Sequence, residues 1–237
     1  MRLSFTLLLV LSATVCRAEW VISGYIGGAQ TQNASIAFNE PGRNTSLRLS
    51  GVQWEGRSFE GPLYYGVRGG RFFHRYVGFE TEFIHLKVFA LVDRTVQASG
   101  VVRGAPVGGT VPMNTYVQRF SISHGNNLLL GNVVGRYDLW RAGNERLGRV
   151  LLTMRVGFGG SIPHPETQFL GSFREHYQGG GFAYQIAGGG EFRLWRGLYA
   201  LGEYKYTNNR EQIVTGTGTA DTRLRSHHGV TGLAIHF

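Results

Sequence analysis

The sequence has one cysteine, Cys16, and no apolar run of the roughly 20 residues that a membrane-crossing helix needs. A lone cysteine excludes an internal disulfide and a cysteine-built metal site. Every later apolar stretch is broken by glycine or a charge within a few positions, so a helical membrane span is excluded as well. Runs of like charge are also missing. The 24 Lys and Arg against 15 Asp and Glu are scattered, and without a basic run or a recognition helix the net charge of +9 does not point to nucleic acid. A cationic rim that meets water or an anionic lipid surface is the use that remains.

Met1 and Arg2, the apolar stretch Phe5 to Val15, and Cys16-Arg17-Ala18 have the layout of a secretory signal peptide cut after Ala18. A lipoprotein reading of Cys16 requires a small residue just before it, and Val15 is not one. Cleavage of residues 1–18 leaves 219 residues, 19–237, a length that suits one all-β domain. It also removes Arg2 and Arg17, leaving 22 basic against 15 acidic side chains and a net charge of +7. No second domain, repeat or low-complexity tail is visible.

What is abundant is glycine, 36 residues spread through the apolar segments, which permits the curvature of a small barrel and leaves room inside it. The triplets Gly179 to Gly181 and Gly188 to Gly190 precede no helix start and are not phosphate cradles. Period-two alternation recurs in eight segments: Trp20 to Gln30, Leu63 to Phe73, Val77 to Val92, Arg119 to Tyr137, Arg149 to Ile162, Phe182 to Leu194, Leu198 to Asn208 and Arg223 to Phe237. In the fifth, Val150, Leu152, Met154, Val156 and Phe158 oppose Thr153, Arg155, Gly157 and Gly159. In the sixth, Phe182, Tyr184, Ile186, Phe192 and Leu194 oppose Gln185, Glu191 and Arg193.

Long links at 31–62, 93–118, 161–181 and 209–222 alternate with tight turns at 74–76 and 195–197, while 138–148 is intermediate. Long outer loops with short inner turns are the pattern of bacterial outer-membrane barrels. Leu233-Ala234-Ile235-His236-Phe237, apolar at alternate positions and ending in phenylalanine, resembles the signal read by the barrel-assembly machinery. Trp20, Phe72, Phe73, Tyr137, Trp140 and Trp195 are expected to form aromatic girdles. The expected fold is therefore an all-β, eight-stranded antiparallel transmembrane β-barrel in the outer membrane of a Gram-negative cell.

With both chain ends in the periplasm, odd segments run outward and even ones inward, which gives each polar residue a height. Glu82, His85 and Lys87 fall in the middle and outer half of the third segment, and His124, Asn126 and Asn127 near the outer start of the fourth. His164 and Glu166 sit past the outer end of the fifth, Glu203 and Lys205 in the outer half of the seventh, and His227 and His228 at the start of the eighth. Charges at this depth belong to the lumen or its mouth. They form either a mutually satisfied plug or a His and carboxylate cluster that binds a divalent metal ion or moves protons. The metal-ligand candidates are His124, His164 and Glu166, with the metal's identity open. His164-Pro165-Glu166 is the sharpest local element, because a histidine and a carboxylate two apart on a stiff turn can face one site. His74, His176 and His236 read as ordinary turn, loop and terminal histidines. No Gly-x-Ser-x-Gly occurs, and the pairs Ser123-His124 and Ser226-His227 are expected to splay apart on a strand, which argues against acyl hydrolysis.

Several segments stand out as a group: Trp54-Glu55-Gly56-Arg57-Ser58-Phe59, Tyr64-Tyr65-Gly66-Val67-Arg68, Gly78-Phe79 with Glu82, His85 and Lys87, and His124-Gly125 with Leu128 to Leu130 and Asn132. Pro163-His164-Pro165-Glu166, Gly202-Glu203-Tyr204-Lys205-Tyr206 and His228 complete the set. Together they resemble the lipid A oxidase family of α-proteobacterial outer membranes. The resemblance implies oxidation of the proximal glucosamine of lipid A to 2-aminogluconate, with O2 as co-substrate and lipopolysaccharide of the outer leaflet as partner. Carried over by position, Glu82, His85, His124, His164, Glu166 and Glu203 are ligands or bases, and Lys87 and Lys205 are phosphate partners. The residues 93–118 match no part of the pattern.

The competing expectation is a non-enzymatic structural or adhesive barrel of the OmpA or opacity-protein kind, whose loops do the binding. A passive channel is disfavoured, since side chains fill the interior of eight strands. The discriminating geometry is whether Glu82, His85, His124, His164, Glu166 and Glu203 converge within about 8 Å, as metal or proton chemistry requires.

Overall fold

The computed structural model describes residues 19–143, 145 and 147–237, so the signal segment and its cut site lie outside the described residues. The chain is almost entirely strand: β1 (Glu19–Thr31), β2 (Ala34–Glu40), β3 (Thr45–Val52), β4 (Trp54–Glu55), β5 (Tyr65–His74), β6 (Val77–Ala90), β7 (Thr95–Val102), β8 (Ala105–Pro112), β9 (Val117–Trp140), β10 (Val150–Pro163), β11 (Glu166–Phe169), β12 (Ser172–Glu175), β13 (Phe182–Trp195), β14 (Leu198–Val214) and β15 (Thr219–His236). Among the described residues, no helix is long and apolar enough to cross a membrane.

Eight of these strands pair antiparallel in the order β1, β5, β6, β9, β10, β13, β14, β15, and β15 returns to β1. The seam runs from Val21 opposite His236 to Thr31 opposite Ser226. It is finished by reciprocal backbone bonds between Trp20 and Phe237, 2.9 and 3.0 Å long. The C-terminal residues thus close the barrel, and each of its eight strands is paired on both sides.

The eight strands are those expected from the alternation, and so are their faces. Leu152, Met154, Val156 and Phe158 of β10 point outward and are exposed, while Thr153 and Arg155 are buried inside. Ile22, Ile26, Val67, Phe79, Val133, Ile186 and Leu233 continue the outward apolar belt around the barrel. Trp20, Phe73, Tyr137, Trp140 and Trp195 sit exposed at its inner margin. Phe72 departs from the expected girdle. It is buried in the lumen with the Arg136 guanidinium 3.8 Å from its ring centre, because its neighbour Phe73 takes the outward register position.

The long links are a correction to the sequence reading. They are not irregular loops, because β2, β3, β7 and β8 extend the sheet from the outer end of β15, and β11 and β12 extend it from β9. Residues 93–118 contain the β7–β8 hairpin. The barrel strands also run on past the belt, with β14 reaching Val214 and β15 starting at Thr219. This outer sheet has its own apolar core, in which Phe38 stacks on Phe169 at 4.1 Å and meets Phe120 edge-on at 6.0 Å. Ile36, Leu47, Leu49, Trp54, Val88, Ile213 and Leu224 pack around them. Alternation in these short strands is legible only once a partner sheet supplies an inside.

An arginine at the mid-height of the belt has no water to meet. Val156→Arg is expected to destabilise the folded barrel by about 2–4 kcal/mol, measured by denaturant unfolding in lipid vesicles, whereas Ser46→Arg on the exposed face of β3 leaves the midpoint unchanged.

Candidate functional site

Inside the belt, the inward positions of the alternation carry charge. Glu82 of β6 accepts from Tyr25 at 2.5 Å, Lys205 at 2.6 Å, Arg68 at 2.8 Å and Asn132 at 2.9 Å, and also from Gln185. Arg68 bridges on to Glu203, which takes Arg155 at 2.5 Å, and Arg155 reaches Glu80 at 2.9 Å. Lower down, His236 sits between Glu19 at 2.7 Å and Glu191 at 2.6 Å, and Arg136 grips Glu19 with both terminal nitrogens. The carboxylates of Glu19, Glu80, Glu82, Glu191 and Glu203 thus face Arg68, Arg136, Arg155 and Lys205, with His236 bridging Glu19 and Glu191. Gly157 makes room for this network, since a Cβ there would collide with Asn132 Oδ1. Above it, Tyr64 reaches in from the segment before β5 and bonds His228 Nδ1 at 3.0 Å, while His228 Nε2 meets Thr207 at 2.8 Å.

Glu82, Glu203 and Lys205 therefore form part of a satisfied plug. Lys205 is fully buried and held by Glu82 and Tyr25, so it cannot reach a lipid phosphate as the resemblance implied. Lys87 points to the outer side of β6, where the carbonyls of Glu60 at 2.8 Å and Gly61 at 3.4 Å cap its ammonium, and it too is withdrawn from such a role. His85, also outward, stacks on Tyr65 at 5.1 Å and pairs through Nδ1 with Asn127 at 2.8 Å. His236, expected to be an ordinary terminal histidine, is a buried bridge in the network.

A second cluster lies above the belt. The backbone of β9 bulges at Gly125 (φ +122°), where pairing with β6 slips between Leu86 and Val88, and this turns His124 outward. The amide of His164 bonds the Gly125 carbonyl at 3.1 Å, which sets the two imidazoles edge to face with centres 4.8 Å apart. In the β11–β12 hairpin Glu166 is directly opposite Glu175. Glu166 Oε1 is 3.5 Å from His124 Nδ1 and Oε2 accepts from Arg119 at 2.7 Å, while Glu175 lies 3.9 Å from His124 and 4.0 Å from His164. One donor atom each from His124, His164 and Glu175 fits within 4.8 Å. Glu175 was not among the sequence candidates, because only the hairpin register brings it back over His164.

The same bulge corrects the reading of Ser123-His124. The pair does not splay, since Ser123 Oγ lies 3.0 Å from His124 Nδ1 and also bonds Glu166. Serine and carboxylate share one ring nitrogen, which is not the relay of a hydrolase triad, where each nitrogen faces one partner. Ser226 and His227 do point apart, Ser226 inward to Thr31 at 2.8 Å and His227 outward to Tyr204 at 2.5 Å. Close by, His176 takes a bond from Arg174 at 3.3 Å. Burial, then Arg174 and His164, lower its pKa.

The six predicted site residues thus divide between two levels. On β9, Asn132, which donates to Glu82, and His124 are eight residues apart, roughly 20–25 Å of strand. They do not converge within the reach of one metal or one proton relay.

A third feature had no sequence candidate. On the outer face of β14, β15, β2 and β3, a groove of 520 Å³ is lined by Arg48, Arg210, Arg223 and Arg225, with Asp221 as the acid among its lining residues. Arg210 and Arg223 are direct cross-strand partners, and Asp221 lies 3.4 Å from Arg210. Arg225 lies two residues beyond His227, about 7 Å above the margin where Tyr204 and Tyr206 end the belt. The arginines are 13 to 177 residues from one another except for the 223/225 pair, so no run in the sequence announced them.

No known family description matches the chain, and no curated relative does either. Solved structures of similar shape include "Neisserial surface protein A", 9% identical, covering 93% of this chain and 99% of that one with a TM-score of 0.43. Another is Ail, the attachment invasion locus protein of Yersinia pestis, in complex with the heparin analogue sucrose octasulfate, 12% identical over 89% of this chain and 98% of that one with a TM-score of 0.33. These likenesses assign neither ligand nor activity to this chain.

Removing one member of a buried charge network strands the others. Glu82→Ala is expected to cost about 3–5 kcal/mol of stability by leaving Lys205 and Arg68 uncompensated, and the combined Glu82→Gln and Lys205→Met variant to recover part of that loss in a double-mutant cycle of urea unfolding.

Proposed function

We propose that this chain is a non-enzymatic barrel of the bacterial outer membrane that presents an ordered extracellular sheet and uses it to hold anionic, phosphorylated headgroups of the outer leaflet, the lipid A of lipopolysaccharide. The observation that carries this reading is the arginine groove just above the aromatic margin. Arg210 opposite Arg223 is a like-charge cross-strand pair, which costs stability unless anions offset it, and Asp221, 3.4 Å from Arg210, is one acid against the four arginines of the groove. Guanidinium groups in such a groove bind phosphate through charge-assisted, bidentate hydrogen bonds. The groove's height matches the level at which a headgroup phosphate would sit. The lumen network supports the same reading, because its carboxylates are engaged with cations and hydrogen-bond donors in a sealed interior.

The test is retention of lipid A by the purified barrel in nanodiscs, read by native mass spectrometry. The expected result is at least tenfold weaker retention of phosphorylated lipid A by the Arg210→Glu, Arg223→Glu double variant, with retention by wild type falling as salt rises and little retention of dephosphorylated lipid A by either. Equal retention by wild type and variant overturns the assignment. A preference for a soluble sulfated polysaccharide over lipid A moves the ligand from the barrel's own membrane to an adhesive target.

A second reading, oxidation of lipid A with O2, is favoured by one observation, the His124, His164, Glu166 and Glu175 cluster on the outer wall above the belt. It requires two electrons and two protons to pass from the proximal glucosamine to O2, giving H2O2, with water supplying the oxygen atom that lipid A gains. Under that reading, lipid A from aerated cells that express the wild type gains one oxygen atom, and lipid A from His164→Ala cells or cells grown without O2 does not. Unchanged lipid A in every sample, with the barrel folded in the membrane, leaves the chain non-enzymatic.

A further inference from the structure

We infer that His124, His164 and Glu175 form a binding site for one divalent transition-metal ion, of the zinc, iron(II) or cobalt(II) class, on the extracellular wall of the barrel. The site stands on its own geometry, independent of the arginine groove and of any action on lipid A.

Its three donors come from different parts of the chain, the β9 bulge, the link between β10 and β11, and the end of β12. Each is placed by backbone pairing, and the β9 bulge ties them together. The bulge at Gly125 directs His124, the bond from the His164 amide to the Gly125 carbonyl fixes His164, and the four pairs of the β11–β12 hairpin bring Glu175 across from Glu166. The backbone bonds from Gln178 to Pro163 at 3.2 Å and from His176 to Pro165 at 3.4 Å tie the far end of the hairpin to the prolines around His164. Tyr177 lies against the His164 ring at 4.2 Å and shields one side of it.

Two observations point to a cation. Glu166 and Glu175 face each other directly, a like-charge pair that costs stability unless a positive charge lies near. Glu166 has Arg119 and Ser123, whereas Glu175 turns to the two imidazoles. Second, among the described ion pairs Glu175 faces only ring nitrogens of His124 and His164, so one carboxylate and two imidazoles converge with no cationic side chain between them. The separations are close to those of a metal site. Bonds of 2.0–2.1 Å at a tetrahedral angle put neighbouring donors about 3.4 Å apart; the donors here, 3.9 and 4.0 Å from Glu175 and all within 4.8 Å of one another, draw in by side-chain rotation as His124 Nδ1 exchanges its contact with Ser123 for the ion. Two imidazoles and one carboxylate with a side open to water suit a borderline dication better than calcium or magnesium, which take mainly oxygen. Glu166 acts as a positioning residue, bonding Ser123 beside His124.

The experiment is titration of the refolded, metal-stripped full barrel in detergent with Co2+, followed by visible absorption and by calorimetry with Zn2+. One ion per chain is expected, with His124→Ala, His164→Ala and Glu175→Gln each weakening binding at least tenfold and His74→Ala, at the opposite mouth, leaving it unchanged. Far-ultraviolet circular dichroism of each variant verifies folding. X-ray absorption of zinc-loaded wild type, which needs no variant, is expected to count two imidazoles in the first shell. Substoichiometric binding by wild type, equal affinity in the three variants, or a shell without two imidazoles overturns the site.

Discussion

The structure depends on one constraint, that backbone N–H and C=O groups in lipid must find each other because no water is there to bond them. The seam between β1 and β15 meets it, ending in the reciprocal bonds between Trp20 and Phe237. Once the sheet is closed, period-two alternation gains a fixed meaning, since each strand has one face in lipid and one in a lumen too narrow for bulk water. The apolar residues then go outward and the charges inward, the reverse of a water-soluble sandwich.

Closure creates a second problem. Ionised groups in a small dry interior lose several kcal/mol of hydration each, repaid only when the geometry is good and the remaining donors and acceptors are filled. The ladder from Lys205 and Glu82 through Arg68, Glu203 and Arg155 to His236 and Glu19 meets that condition with near-complete pairing. Such a network is specific because a one-residue slip of any strand would carry its charges into lipid. It fixes register and fills the lumen, and it leaves its carboxylates with little freedom to act on a substrate.

Beyond the belt the solvent changes and so does the building rule. Water is available on the outside, so apolar side chains return to the interior and Phe38, Phe120 and Phe169 form a core of the ordinary kind. Polar groups turn to the outer wall. There the arginine groove lies over β14, β15, β2 and β3, and the His124, His164 and Glu175 cluster over β9 to β12. Both are held on strands rather than loose loops, so their geometry is set by register.

Sequence by itself determined the eight barrel strands, their facing and the closing phenylalanine, because lipid imposes a strict local alternation that each strand must obey alone. It also placed charge at Glu82, Glu203 and Lys205 in the lumen, whereas Lys87, expected at the same place, turns outward to the carbonyls of Glu60 and Gly61. What only tertiary structure decided was which polar residues meet. His124 with Glu175, and Arg48 with Arg223, are joined by a bulge, a hairpin register and strands that reach round the outer sheet. Their partners lie tens to hundreds of residues away, where no local pattern constrains them. The outer strands β2, β3, β7 and β8 were hidden for the same reason, since their inside exists only after the sheet that covers it has formed.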